Sequence, residues 1–206
     1  MQLRSLKIFV VNSKPCAIIA GEPPKACCAV RCRKSALKAF TLNLLGALLC
    51  LASAQLAAGK PKPGDVPPDE LGRTFAGEQI KVSDQPGSVR VVTFWATWCA
   101  PCRTEMSVLN QVQRQVSEKH MQVIGVNIED RRTFKRVIAK LGRELNIKLT
   151  HDASGAVARK YRVGPIPHTV LIGREGRIAS IRLGFSEEHV DDLIAALNAL
   201  LAVETP

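Results

Sequence analysis

Cys99 and Cys102 follow Trp98 and are separated by Ala100-Pro101. Two cysteines three residues apart at the start of a helix come within disulfide distance, roughly 5.5 Å between Cα atoms. Their positions make them chemically unequal. Cys99 lies just ahead of the unpaired N–H groups of a first helical turn, whose partial positive charge favours a thiolate. Cys102 lies one turn inward and is shielded. Pro101 gives up an N–H that had no intrahelical partner. The pattern supports thiol-disulfide exchange: Cys99 attacks a partner disulfide, or is attacked in the reverse direction, and Cys102 resolves the mixed disulfide.

Other uses of two cysteines fit less well. A structural disulfide closing so short a loop constrains the unfolded chain little. A zinc site needs two further ligands, and His120, His151, His168 and His189 show no paired ligand spacing. Haem attachment requires His where Arg103 stands. No metal and no cofactor are expected.

The elements around the pair are legible as an alternation of strands and helices. Residues 78–82 read as a short strand and 83–88 as a turn. Val91 to Ala96 is a short, nearly continuous apolar run, the mark of a strand buried on both faces. Met106, Leu109, Val112 and Val116 fall at helical spacing within a helix expected from Pro101 to about Lys119. Residues 121–128 read as a second central strand. Phe134, Val137, Ile138 and Leu141 line a further helix that Gly142 ends. A short helix is expected over 154–161, a hairpin from 169–172 and 178–183 around Gly173 and Gly176, and a C-terminal helix capped by Ser186. The order demands a mixed central sheet flanked by helices, an α/β architecture.

The stretch from Phe94 to Glu105, FWATWCAPCRTE, resembles the active site of thioredoxin-like proteins of the TlpA/ResA type, exported bacterial thiol-disulfide oxidoreductases. The likeness spans most of residues 70–203 and includes IPHTVLIGREGRI at 166–178. The resemblance implies a thioredoxin-like fold, a cis Pro167 opposite the thiols, and an Ile166 backbone that hydrogen-bonds an extended partner segment. It places Trp98, Ala100, Pro101, Ile166 and Pro167 on the partner-binding surface. Glu105 matches an acidic residue of this subgroup, implying a role in thiol protonation; an ordinary acid in a first helical turn remains the other reading. Thr93 stands where thioredoxins carry a buried Asp, so assistance from that Asp is in doubt. His168 reads as an ordinary strand residue. The implied activity is reduction of protein disulfides, during cytochrome c or copper-site maturation, by a monomer that draws on a membrane electron donor. Ala100-Pro101 does not decide between reductase and oxidase. Two alternatives stay open. One is a thiol peroxidase, although the lone reactive Cys after Thr-x-x is missing; the other is a non-catalytic copper-binding thiol module.

The whole-chain totals mislead until the chain is divided. Its 206 residues carry a formal charge of +11 and seven cysteines. The first 54 residues hold +7 of that charge and Cys16, Cys27, Cys28, Cys32 and Cys50. Within them Arg31, Arg33, Lys34 and Lys38 form a basic region, 39–51 an apolar stretch and Ala52-Ser53-Ala54 a small-x-small cleavage site, the three parts of a secretory signal. A retained anchor over 36–58 is the alternative. Residues 1–29 fit no signal and read as an upstream extension, with the start near Val30. Residues 55–70 are rich in proline and read as a solvated linker, with the domain proper at 71–206. Export to the periplasm, soluble or tethered, is expected. The +4 carried by residues 55–206 lacks an aromatic-interleaved basic face, so nucleic acid is not an expected partner; Arg131-Arg132 and Lys135-Arg136 read as a solvated helix surface.

Overall fold

The structure, a computed structural model, describes residues 59–142 and 144–203. The leader, signal and possible anchor lie outside the described residues. Seven strands, β1 (Glu70–Arg73), β2 (Gln79–Lys81), β3 (Val89–Trp95), β4 (Met121–Asn127), β5 (Lys148–His151), β6 (His168–Ile172) and β7 (Ile178–Leu183), form one sheet in the order β2-β1-β5-β4-β3-β6-β7. β3, β4 and β5 run parallel, and β6, β7, β1 and β2 add antiparallel pairings at the two sides. The helices are α1 (Ala100–Gln115), α2 (Arg131–Leu141), α3 (Ala156–Lys160) and α4 (Val190–Ala202). Among the described residues no helix is long and apolar enough to cross a membrane.

The period-2 alternation of β3 builds both layers. Val89, Val91 and Trp95 enter a core with Met106, Leu109 and Val112 of α1, Phe134 and Val137 of α2, and Leu193 and Leu197 of α4. Val92 and Phe94 enter the opposite core with Leu71, Val157 and Tyr161. Every residue of β3 and β4 is buried, as a strand covered on both faces requires. Each fully buried Val, Leu or Met contributes about 1.5–3 kcal/mol relative to exposure. Because β3, β4 and β5 are parallel and in register at Trp95, Asn127 and His151, their C-terminal ends share one sheet edge, and α1 starts there.

The α1 spacing is as expected, but the helix stops at Gln115 rather than Lys119. The buried Gln113 amide explains the stop: it donates to the carbonyls of Val116 and Met121 and accepts the N–H of Val123, tying the helix end to β4. β2 is shorter than the expected 78–82, with Val82 already in a 3-10 turn. Ser186 opens a 3-10 turn at Glu187–His189 and makes no capping bond; α4 begins at Val190.

β1 and β5 are additions to the sequence reading. Each buries only two residues, and β5 is fixed by the Thr150 hydroxyl, which donates to the Leu71 carbonyl at 2.6 Å. The linker reading of 55–70 is corrected where described. Gly64 N–H donates to Ile178 O at 2.8 Å and Ile178 N–H to Asp65 O at 2.9 Å, while the Tyr161 hydroxyl donates to Pro68 O at 2.6 Å. Pro67 is buried, so residues 64–70 lie on the domain and belong to it.

Candidate active site

Cys99 is the N-cap of α1, with extended backbone, and its sulfur accepts the N–H of Cys102 at 3.2 Å. The two cysteines form a disulfide with Cα atoms 5.3 Å apart. Both cysteines are buried, Cys99 4% exposed and Cys102 0%. Ala100, Pro101 and Trp98, the last 70% exposed, form the outer lip. Across from them the Ile166-Pro167 peptide bond is cis, and the Ile166 carbonyl oxygen lies 3.8 Å from Cys99 Sγ. Pro167 is buried and Ile166 half-buried. The residues singled out for partner binding therefore gather around one pair of sulfurs.

Glu105 is one turn further along α1, on the face that Cys102 occupies. It is 1% exposed. The Thr93 hydroxyl donates to Glu105 Oε2 at 2.7 Å; the Thr169 hydroxyl lies 2.8 Å from Oε1 and 2.9 Å from Thr93 Oγ1. These three contacts have two hydroxyl protons between them. Thr93 donates one to Glu105 Oε2, and Thr169 shares the other between Glu105 Oε1 and Thr93 Oγ1. Burial pushes the Glu105 carboxyl above its ordinary range, and the two threonine hydroxyls and the charge of Arg182 oppose that rise. A cleft lined by Arg182, Gly184, Phe185, His189 and Leu193 reaches Glu105 from the α4 side. Thr93 thus holds a carboxylate partner from α1 in place of a carboxylate of its own.

The loop carrying Trp98 is held from β4. Glu129 accepts the Thr97 N–H at 2.6 Å and the Thr97 hydroxyl at 2.8 Å, and the Asn127 amide donates to the same carboxylate at 3.1 Å. Arg103 closes the turn by donating to the Thr97 carbonyl at 2.7 Å. Sequence reading missed Glu129 and Thr169. Glu129 carried one signal, an acid immediately after a central strand at the sheet edge where α1 starts; Thr169 carried none.

His168 faces the other layer. It is 1% exposed, meets Phe94 edge-on at 5.9 Å between ring centroids, and neither ring nitrogen has a hydrogen-bond partner among the described residues. Burial, and secondarily the charge of Lys60, push its pKa down, so the ring stays neutral. The strand reading holds, and His168 is not part of the thiol groove.

A family model described as the AhpC/TSA family matches residues 63–181. Thiol-disulfide oxidoreductase ResA of Geobacillus kaustophilus is 29% identical over 122 residues, covering 59% of this chain and 69% of that protein. Thioredoxin-like protein YneN of Bacillus subtilis is 29% identical over 123 residues, covering 59% and 71%. A crystal structure of a Chlorobium tepidum protein assigned as thiol:disulfide interchange protein DsbE superposes with a TM-score of 0.62 at 30% identity, covering 69% of this chain and 99% of that one.

Proposed function

The chain belongs to the AhpC/TSA family and is a thiol-disulfide oxidoreductase with a thioredoxin-like fold, and on that premise we propose that it reduces protein disulfides through Cys99 and Cys102. One observation carries this reading: a sulfur pair at the start of α1, with Cys99 Sγ 3.8 Å from the Ile166 carbonyl oxygen beside the cis Pro167. In the reduced protein the Cys99 thiolate attacks one sulfur of the partner disulfide. A Cys99–partner disulfide forms and the other partner sulfur leaves as a thiolate. Cys102 then gives its proton to Glu105 and attacks Cys99 Sγ, closing the Cys99–Cys102 disulfide and releasing the second thiolate. Two electrons pass to the partner, whose thiolates take up two protons. A dithiol donor returns the pair to its reduced state.

The basic and apolar pattern of residues 31–54 supports export, and the family resemblance supports a membrane electron donor and a setting in cytochrome c or copper-site maturation. The test is capture. A Cys102→Ser variant, reduced and mixed with a periplasmic extract, is expected to retain a partner through Cys99 that dithiothreitol releases. No captured protein, together with a reduction potential near those of strong periplasmic oxidants, overturns the reductase reading. Rapid peroxide consumption by the reduced protein would instead favour a peroxidase.

A further inference from the structure

We propose that the groove between α1 and α2 is a subsite for an acidic stretch of the partner protein close to its reacting cysteine, an inference that rests on the thiol-exchange reading above. The groove, about 410 Å³ in volume, has an apolar floor of Trp95, Val137 and Leu141 and a rim of Arg103, Arg136 and Lys140, with no carboxylate in its lining. That volume is within the range of small ligand sites.

The rim charges have no ion-pair partner among the described residues. The acids just ahead of α2 are engaged, Glu129 holding Thr97 and Asp130 capping the helix through the N–H groups of Arg132 and Thr133 and the Thr133 hydroxyl. Glu144, four residues after Lys140, forms no ion pair among the described residues. The ion pair found among the described residues is Lys160–Glu70, on α3 and β1. α2 itself carries Arg131, Arg132, Lys135, Arg136 and Lys140 and no acid. Arg131–Lys135, Arg132–Arg136 and Arg136–Lys140 are like-charge pairs at i,i+4, each of which weakens the helix. A merely solvated face would gain by mixing signs. Concentrated positive charge over an apolar floor instead attracts carboxylates, and arginine matches them with its planar fork.

The groove adjoins the nucleophile. Thr97 lines it two residues before Cys99, and Arg103, whose N–H donates to the Cys99 carbonyl at 3.3 Å, lines it on the other side. A partner chain extended from Cys99 advances about 3.3 Å per residue, so residues flanking its own cysteine pass alongside Thr97 and Arg103. This concave placement beside the sulfur favours a protein segment over a membrane surface.

The test uses three disulfide peptides identical except for their flanks, which are Glu/Leu, Gln/Leu or Lys/Leu, presented to the full reduced protein. The acidic peptide is expected to be reduced about tenfold faster than the neutral one in kcat/KM at low salt, mainly through KM, and the advantage to shrink as salt rises. Arg136→Glu/Lys140→Glu is expected to invert the ratio, and Arg136→Gln/Lys140→Gln to bring it near one. Because each variant is judged by a ratio between two peptides, partial loss of folded protein does not imitate the result. Equal rates on the three peptides, or a preference unchanged in both variants, overturns the proposal. So does charge-dependent binding of phosphatidylglycerol vesicles without peptide preference, which assigns the patch to membranes. Failure of the wild-type protein to reduce hydroxyethyl disulfide and all three peptides would defeat the thiol-exchange reading itself.

Discussion

Thr93, at the centre of β3, donates its hydroxyl to Glu105 on α1 across 2.7 Å, beneath the dithiol. The Thr169 hydroxyl donates to the other carboxyl oxygen, and burial favours the protonated form against these two bonds. The folded-state pKa is raised, so the folded protein holds this proton more tightly than the unfolded chain. Stability from this group is fully present below the ordinary carboxyl pKa of 4.5 and is lost as pH rises through the folded value. Glu105→Gln reproduces the neutral acid, its carbonyl accepting from Thr93 and its amide donating to Thr169. Urea denaturation of the oxidised proteins is expected to show the variant the more stable at pH 8, with the difference vanishing near pH 4. A wild-type advantage at pH 8 would contradict the assignment.

The same substitution removes the proposed proton acceptor for Cys102. Resolution of a preformed Cys99 mixed disulfide is expected to slow by roughly tenfold to a hundredfold in Glu105→Gln, and to lose the carboxyl inflection in its pH profile. Stopped-flow measurement of leaving-thiol release checks this.

Glu129 clamps the loop before Cys99 by two bonds to Thr97. Glu129→Ala leaves the Thr97 N–H and the Asn127 amide without this acceptor, at a cost of about 1–3 kcal/mol. Reaction of the reduced protein with a peptide disulfide is expected to slow about tenfold, with the reduction potential shifted. Glu129→Gln keeps one accepting oxygen and is expected to fall between. Unchanged kinetics and potential in Glu129→Ala would show that the clamp does not position Cys99.

His168 is held neutral by burial, with a folded-state pKa below the ordinary 6.5. Its contribution is present above pH 6.5 and is lost as pH falls through that value toward the folded one. His168→Phe keeps the ring contact with Phe94 and removes the titration. Thermal melts are expected to show the variant gaining on the wild type between pH 7 and pH 5, and a constant difference across that range would refute the account.

Gly72 has φ of 86°, and a Cβ there would lie 2.8 Å from the His151 carbonyl oxygen. Gly72→Ala is expected to cost about 1–3 kcal/mol by denaturant titration, through left-handed backbone strain and separation of β1 from β5.

The dithiol, α1 and the strand-to-helix junction were legible because helical spacing, an unbroken apolar run and the C-x-x-C interval are local signals. The cis Pro167 was legible only through family resemblance. β1 and β5 were not, because ELGR and KLTH have little apolar content and become strands by pairing with β2 and β4 and, at Arg73 and His151, with each other. The Thr93–Thr169–Glu105 ring was hidden for a similar reason. Thr169 is a β-branched residue in a strand, and its use depends on antiparallel register placing it opposite Thr93. Residues 64–69 are irregular, as proline and charge suggest, but backbone hydrogen bonding to Ile178 is invisible in composition.

That seam has a mechanical side. Gly64 and Asp65 are stitched to Ile178 by two backbone hydrogen bonds, and Arg177 adds a third to the Gly64 carbonyl at 2.9 Å. A pull on the chain ahead of Lys62 is borne by these bonds at the start of β7, before β1 takes load. Cys99 lies beyond β3, two strands in from β7, so tension on the leading chain is taken up at the margin of the sheet and the aim of the dithiol is left undisturbed.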